Sequence, residues 1–252
     1  MSLDFSPAPA SAAPGRRILS HAVMEARLIL RNGEQAILAV VIPVGVLIGA
    51  AFFGERLGLG LSETAPSVLA LAMWSSGLTT LAIATGFERR YNVLERLAAT
   101  PLGRPGILAG KALSIAMIAA GQVLVLCLVA LALGWRPTFS PWSAVFAVAV
   151  AILSMGAFAG LALSIAGSLR PEATLAVANL LYLVGMPLGI LIPAGRFPDW
   201  AQPIVRALPT GALGEAMRAA SVGTALVWSL PVAALWCAAS LALAWKVFKW
   251  AS

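Results

Sequence analysis

Between positions 88 and 111 the chain reads ERRYNVLERLAATPLGRPGILAGK, placing Glu88, Arg89, Arg90, Glu95, Arg96, Arg104 and Lys111 between two long stretches without charge. Acids and bases mixed at this density suit the docking of another protein. Catalytic constellations, by contrast, are missing. His21 is the sole histidine, so no histidine pair can hold a metal and no Ser-His-Asp triad is supported. The nearest approach to a phosphate loop is Gly106-Ile-Leu-Ala-Gly110-Lys111-Ala112. It has three residues between its glycines where the loop needs four, and Ala112 stands where a Ser or Thr would hold magnesium. No cofactor is expected on this chain. If ATP is used, another chain hydrolyses it.

Read as a helix over 87–98, the segment puts Tyr91, Leu94, Leu97 and Ala98 on one side, with Glu88, Arg89, Asn92, Glu95 and Arg96 over the remainder. Thr100-Pro101 ends it, because proline disfavours helix at the residue before it. Gly103, Pro105 and Gly106 then turn the chain into the next apolar run. A short amphipathic helix braced between two spans can pass a partner's motion to both. A solvated inner loop is the other reading, and the residues alone leave both open.

The elements that must hold this segment are apolar. Six runs lack Asp, Glu, Lys, Arg and His altogether: 35–54, 64–87, 112–135, 137–169, 173–195 and 219–245. Each matches the roughly 20 residues needed to cross about 30 Å of hydrocarbon. An unsatisfied backbone group in lipid costs several kcal/mol, so a span must be a helix or part of a closed barrel. These runs are continuously apolar rather than alternating, which argues for helices. Charged residues make up 11% of the chain and mean hydropathy is +0.93, whereas soluble domains carry about 25% charged residues. The expectation is an all-α integral membrane protein with six transmembrane helices, an N-terminal amphipathic interfacial helix, and a short cytoplasmic helix between helices 2 and 3.

The net charge of +7 follows topology rather than nucleic-acid binding. With both termini cytoplasmic, inside segments hold twelve basic residues and outside segments five: Arg56, Arg136, Arg196, Arg206 and Arg218. The excess inside also implies contact with anionic membrane lipid. Cys127 and Cys237 fall within apolar runs and read as inert thiols, with neither a disulfide nor a metal site indicated.

Along the chain, residues 1–15 are rich in Pro, Ala and Ser and are expected to be a disordered tail. They lack the apolar core of a signal peptide. Over 16–34 an amphipathic helix is expected, with Leu19, Ala22, Val23, Ala26, Ile29 and Leu30 on one face, and Arg17, His21, Glu25 and Arg31 away from it. Residues 35–252 form the six-helix unit, containing the charged segment 88–106 and an outer segment 195–218 that dips back as one or two short helices. Helix 5, over about 173–194, should kink or break at Pro187 and Pro193. Glycine pairs Gly45/Gly49, Gly156/Gly160 and Gly185/Gly189 allow close helix approach, more within the chain than between copies. Helix 2 carries Ser75, Ser76, Thr79, Thr80 and Thr85, either for helix-to-helix hydrogen bonds or as the wall of a solvated path.

Proton-coupled carriers place ionisable groups inside their spans, and these six runs have none. What remains is an apolar, hydroxyl-dotted pathway suited to a lipophilic or amphiphilic cargo, powered from outside the bilayer. A secondary carrier of apolar solutes, a membrane-embedded lipid-modifying enzyme and a scaffold protein are the rival readings.

The segment resembles the cytoplasmic signature of ABC-2 type transporter permeases. The matching residues are Glu88-Arg89, Leu94-Glu95-Arg96-Leu97, Thr100-Pro101 and Gly110-Lys111, with Asn92 where the family commonly has glycine. Leu208-Pro209-Thr210 with Arg218 resembles the family's outer re-entrant region. The short loops are similar to those of the branch containing daunorubicin-type exporters of actinobacteria. The resemblance implies a permease of the bacterial inner membrane that pairs with a second copy or a paralogue and binds two ABC ATPase subunits, which carry ATP and Mg. It implies a coupling helix seated on the ATPase through Glu88, Arg89, Arg90, Tyr91, Leu94, Glu95, Arg96, Leu97, Thr100 and Pro101. It implies a substrate path along helices 1, 2 and 5, with Ser75, Ser76, Thr79, Asn179, Tyr182 and Met186 as candidates, and an outer gate at Pro209, Thr210, Glu215 and Arg218. Membrane lipids are the remaining expected partner, and nucleic acid is not one.

Overall fold

Uncharged runs of this length can satisfy their backbone groups only internally once water is excluded, and the chain does so as helices. The structure, a computed structural model, describes residues 11–31, 33–54 and 60–250, with 33–39 described by backbone alone. Among these residues the elements are α1 (Pro14–Arg31), α2 (Gly33–Phe53), α3 (Leu61–Arg90), α4 (Val93–Ala98), α5 (Gly103–Ala132), α6 (Pro141–Ser168), α7 (Pro171–Gly185), α8 (Gln202–Ala207), α9 (Pro209–Ser221) and α10 (Ser229–Val247). No strand forms among them.

Helices α3, α5, α6 and α10 are long and apolar enough to cross a membrane. The apolar part of α2, Val40–Phe53, and α7 are shorter. At 1.5 Å per residue α3 spans roughly 45 Å and α7 only roughly 23 Å. The fifth uncharged run is therefore not one helix over 173–194. It stops at Gly185, because Pro187 has no N–H to continue the ladder. An irregular strap follows, in which Gly189 sits at φ +87° and Pro193 precedes a short 3₁₀ turn over Ala194–Arg196. Two short helices, α8 and α9, then occupy the segment expected to dip back.

Local signals account for the other boundaries. Ser140 Oγ accepts from Ser143 N, Ser143 Oγ accepts from Ser140 N, and Pro141 opens α6. Pro171 and Pro209 open α7 and α9 in the same way. Within α3 the turn Ser75–Thr80 is a π-helix, a widening that carries an extra residue without breaking the rod.

Helix α6 is the centre of the core, packed along α10, α3 and α9. Its contact with α10 depends on small residues. A Cβ added at Gly160 would lie 2.6 Å from the Ser240 backbone, and one at Gly156 would lie 2.6 Å from Cys237 Sγ. Trp74 of α3 meets Phe158 of α6 edge to face at 4.7 Å, and Gly185 leaves room for the Trp74 ring. The glycine pairs in α6 and after α7 thus serve contacts within the chain, while Gly45 and Gly49 have nothing within 4 Å.

The N-terminal elements differ from expectation in two ways. Residues 1–10 of the expected tail, and Asn32, lie outside the described residues, while Pro14 and Gly15 already belong to α1 and Gly33 to α2. The buried side of α1 also carries His21 and Glu25 with Ala22 and Ala26, whereas Leu19 and Leu30 are exposed. Ala22, Ala26 and Ile29 of the expected stripe do pack inward, but the buried face is turned toward His21 and Glu25, because a buried cation on α5 requires the acid.

Candidate functional site

That cation is Lys111, 1% exposed and the largest fully buried side chain among the described residues. Its ammonium forms ion pairs with Glu25 of α1, at 3.1 Å, and with Glu88 near the end of α3. One positive charge thus joins three helices, and the two flanking the charged segment are among them. A buried cation is tolerable only with such partners. His21, one turn before Glu25, places Nε2 3.7 Å from the Glu25 carboxylate without a hydrogen bond. Burial lowers the His21 pKa from its ordinary 6.5, Glu25 opposes that and Lys111 adds to it, so the imidazole is neutral at pH 7.

Close approach of α1 depends on α5. A Cβ at Gly110 would lie 2.5 Å from the His21 ring, and one at Gly106 would meet Leu102 at 2.8 Å and Ile18 at 3.7 Å. Gly106 and Gly110 lie one turn apart inside α5, which begins at Gly103 rather than after Gly106. The run that approaches a phosphate loop in sequence is therefore a helix-packing groove with a buried lysine. Among the described residues no group of three or more His, Cys, Asp or Glu could hold a metal.

The helix expected over 87–98 is two helices. α3 runs to Arg90, the chain turns at Tyr91-Asn92, and α4 begins at Val93. Asn92 has φ 57°, the left-handed conformation that asparagine tolerates better than most residues. The turn separates the side chains expected to share a face. Leu94 is fully buried and Leu97 and Ala98 pack against the core, whereas Tyr91 is 62% exposed. Asn92→Gly should therefore leave stability close to wild type, whereas Asn92→Val should cost about 1–2 kcal/mol in thermal melts of the purified protein.

The remaining residues of the segment divide by exposure. Arg89 is buried, and its Nη2 donates to Leu169 O at 2.5 Å, tying α3 to the α6–α7 turn. Arg90 pairs with Glu172 at the start of α7. Glu95, Arg96, Thr100 and Pro101 are exposed. Arg96 Nη2 donates to Tyr91 O at 3.3 Å, and Arg17 of α1 donates to Pro101 O. The C-terminal residues fold onto the same end, with Lys249 N donating to Gly167 O at 3.0 Å and Arg104 lying over the Trp250 ring at 5.3 Å. The structure brings Glu88, Leu94 and Leu97 into the supporting contacts and leaves Tyr91, Glu95 and Arg96 on the surface.

Among the mid-helix candidates, Ser76 donates to Gln122 Oε1 at 2.9 Å in a buried bond between α3 and α5. Ser75 and Thr79 are half-buried on the π turn. Tyr182 and Met186 pack against the core near Trp74, whose Nε1 donates to Tyr182 O at 3.3 Å. Asn179 stands apart from them, exposed on α7.

At the opposite end a second polar network is built around Arg218 of α9. Its guanidinium donates to Gly189 O (2.7 Å), Ile190 O (2.6 Å), Ser67 Oγ of α3 (2.9 Å) and Glu215 (2.8 Å). Glu215 also accepts from Ala194 N at 2.8 Å. The strap after α7 is thus held to α9 and α3, with Pro209 and Thr210 buried beneath it. Gly189, Gly211 and Gly214 let the strap backbone touch α8 and α9 directly.

Sequence reasoning missed Glu25, His21, Gln122 and Ser67. Glu25 had a signal: it is the single acid of a helix with four arginines, and a lone opposite charge needs a partner. Gln122, an isolated amide in an apolar run, carried the same kind of signal.

A search of curated proteins finds no match to the chain. The family profile described as ABC-2 type transporter matches residues 21–222, a stretch that begins at the buried histidine of α1 and takes in the three-helix ion cluster, α4 and the Arg218 network. By that match the chain belongs to the ABC-2 type transporter family and is a membrane component of a transporter.

Proposed function

We propose that this chain is the permease subunit of an ATP-driven exporter, moving a lipophilic or amphiphilic substrate outward by alternating access on energy from separate ATPase subunits. One observation carries the reading. α4 presents Glu95 and Arg96 to the surface while Leu94 is fully buried, and the helices on either side of it share Lys111. A force applied at α4 therefore has a short, packed route into both α3 and α5. The chemistry of the ends supports the orientation. Arg89, Arg90, Arg96 and Arg104 lie on or beside α4 in the chain, and the segment carrying Lys249 folds onto the same end through Gly167 and Arg104, as expected of the cytoplasmic side.

On this reading α2 and α7, the latter extended by the strap over 186–194, complete six spans, and both termini are cytoplasmic in a bacterial inner membrane. A second copy or paralogue completes the pathway, with Gly45 and Gly49 on an open face of α2. Ser75, Ser76, Thr79, Tyr182 and Met186 lie toward the path, Asn179 toward the second copy, and Pro209, Thr210, Glu215 and Arg218 brace the outer exit. A drug-exporter branch of the family fits the short loops. Nucleotide binding by the ATPases must favour the outward arrangement, because a ligand shifts an equilibrium only by its differential affinity for the two states.

The test is ATP-driven efflux in vesicles carrying the permease with its ATPase. Glu95→Ala or Arg96→Glu should lower transport about ten-fold with insertion and melting temperature unchanged. Wild-type efflux in both variants would remove α4 as the coupling element, and efflux by the permease alone would remove the ATPase.

A further inference from the structure

The two faces of α1 have opposite fates. His21, Ala22, Glu25 and Ala26 are buried against α5. Away from that helix, Leu19 and Leu30 on one side and Met24 and Leu28 on the other are between 44% and 58% exposed, flanking the outward arginines. A shallow groove runs along this outward face, lined by Leu19, Val23, Met24 and Leu28, with Arg27 and Arg31 at its end. Arg16, Arg27 and Arg31 are exposed, and the one acid of α1, Glu25, is consumed in the ion pair with Lys111. The accessible face thus combines large apolar side chains with charge of a single sign. Arg27 and Arg31 are four residues apart and stand side by side on the helix.

We propose that this face of α1 seats an anionic phospholipid, its headgroup phosphate between Arg27 and Arg31 and its acyl chains beside Leu28 and Leu30, because α1 runs alongside α5 away from the α4 end and its last turn lies deepest. Hydrocarbon beside negative phosphate is the one environment that complements both halves of the groove. Arginine stems lie along apolar surface and deliver the guanidinium to the headgroup level, where two of them can chelate phosphate oxygens. A protein partner is the poorer fit. The exposed surface of α4 alternates Glu95 with Arg96, while the α1 face has no exposed acid with which to pair a partner's basic residues. Because Glu25 and Lys111 clamp α1 to α3 and α5, the seat is fixed in position on the transmembrane core. The proposal stands independently of any ATPase.

The test uses the full chain in nanodiscs of phosphatidylcholine mixed with phosphatidylglycerol, with lipids retained after gentle release identified by native mass spectrometry. Phosphatidylglycerol should be enriched over its share of the disc. Arg27→Gln and Arg31→Gln should each lower that enrichment about five-fold, Arg27→Lys and Arg31→Lys should keep most of it, and Arg206→Gln should not change it. Equal retention of both lipids, or enrichment that survives the double Gln variant, overturns the proposal. So does displacement of the lipid by soluble glycerol phosphate at equal concentration, which would assign the site to free phosphate. A photo-crosslinking side chain at position 28 should label phospholipid in native membranes. Labelling of a protein there instead overturns it too.

Discussion

Lys111→Met should be among the most damaging single substitutions in this chain, costing about 3–5 kcal/mol, because it leaves two carboxylates facing each other in a buried site without their cation. Glu25 and Glu88 each pair with the same ammonium, which has essentially no contact with solvent. The variant should melt far below wild type in detergent and lose much of its inserted protein. Relief of the charge should restore most of the loss, so the triple variant Lys111→Met/Glu25→Gln/Glu88→Gln should recover much of the melting temperature. Were the single variant to melt within about 1 kcal/mol of wild type, as removal of an exposed pair would, the cluster would have no role in holding α1. The same cluster sets a pH response. Burial holds His21 below its ordinary 6.5, so the unfolded chain takes up the proton first, and stability present above about pH 6.5 is lost as pH falls. His21→Gln should flatten that acid-side decline in the same melts.

Arg218→Met should produce the second large effect, a loss of about 3 kcal/mol concentrated at the opposite end of the molecule. The guanidinium satisfies the carbonyls of Gly189 and Ile190, a serine hydroxyl on α3, and Glu215, which in turn holds Ala194 N. Removing it takes the cation from Glu215 and leaves two backbone oxygens unpaired in a segment with no helix of its own to satisfy them. Hydrogen exchange should show the 186–196 strap opening while the cores of α5, α6 and α10 keep their protection. The exposed pair Arg196–Glu63 provides the comparison. Arg196→Gln should cost less than about 1 kcal/mol, although it joins the same strap to the same helix. Equal effects of the two substitutions would show that the Arg218 network is not what holds the strap.

These two networks differ in how far the residues alone disclosed them. Arg218 could be read from a short motif in an outer segment, and its role at the strap follows from where the short helices fall. Lys111 could be read only as the residue opening a span. Its partners come from helices 23 residues before and 86 residues before it, and no periodicity links positions that far apart. Asn92 lies between these cases. A residue that tolerates the left-handed conformation hints at a turn, yet the spacing over 87–98 reads as one helix, and only the structure shows the turn that exposes Tyr91.

What the sequence determined by itself is therefore local and compositional: helices where charge is absent, a break of the fifth run near Pro187, and a polar segment between α3 and α5. Hydrocarbon and proline enforce these within a few residues of themselves, whatever the rest of the chain does. Tertiary structure alone decided that the buried face of α1 takes in His21 and Glu25, that Arg218 holds the strap to α3 and α9, and that one lysine closes three helices into a unit. Desolvating a charge is so costly that it shifts the buried face of a single helix off the centre of its apolar stripe, and the partner it selects depends on which helices the packed core brings together.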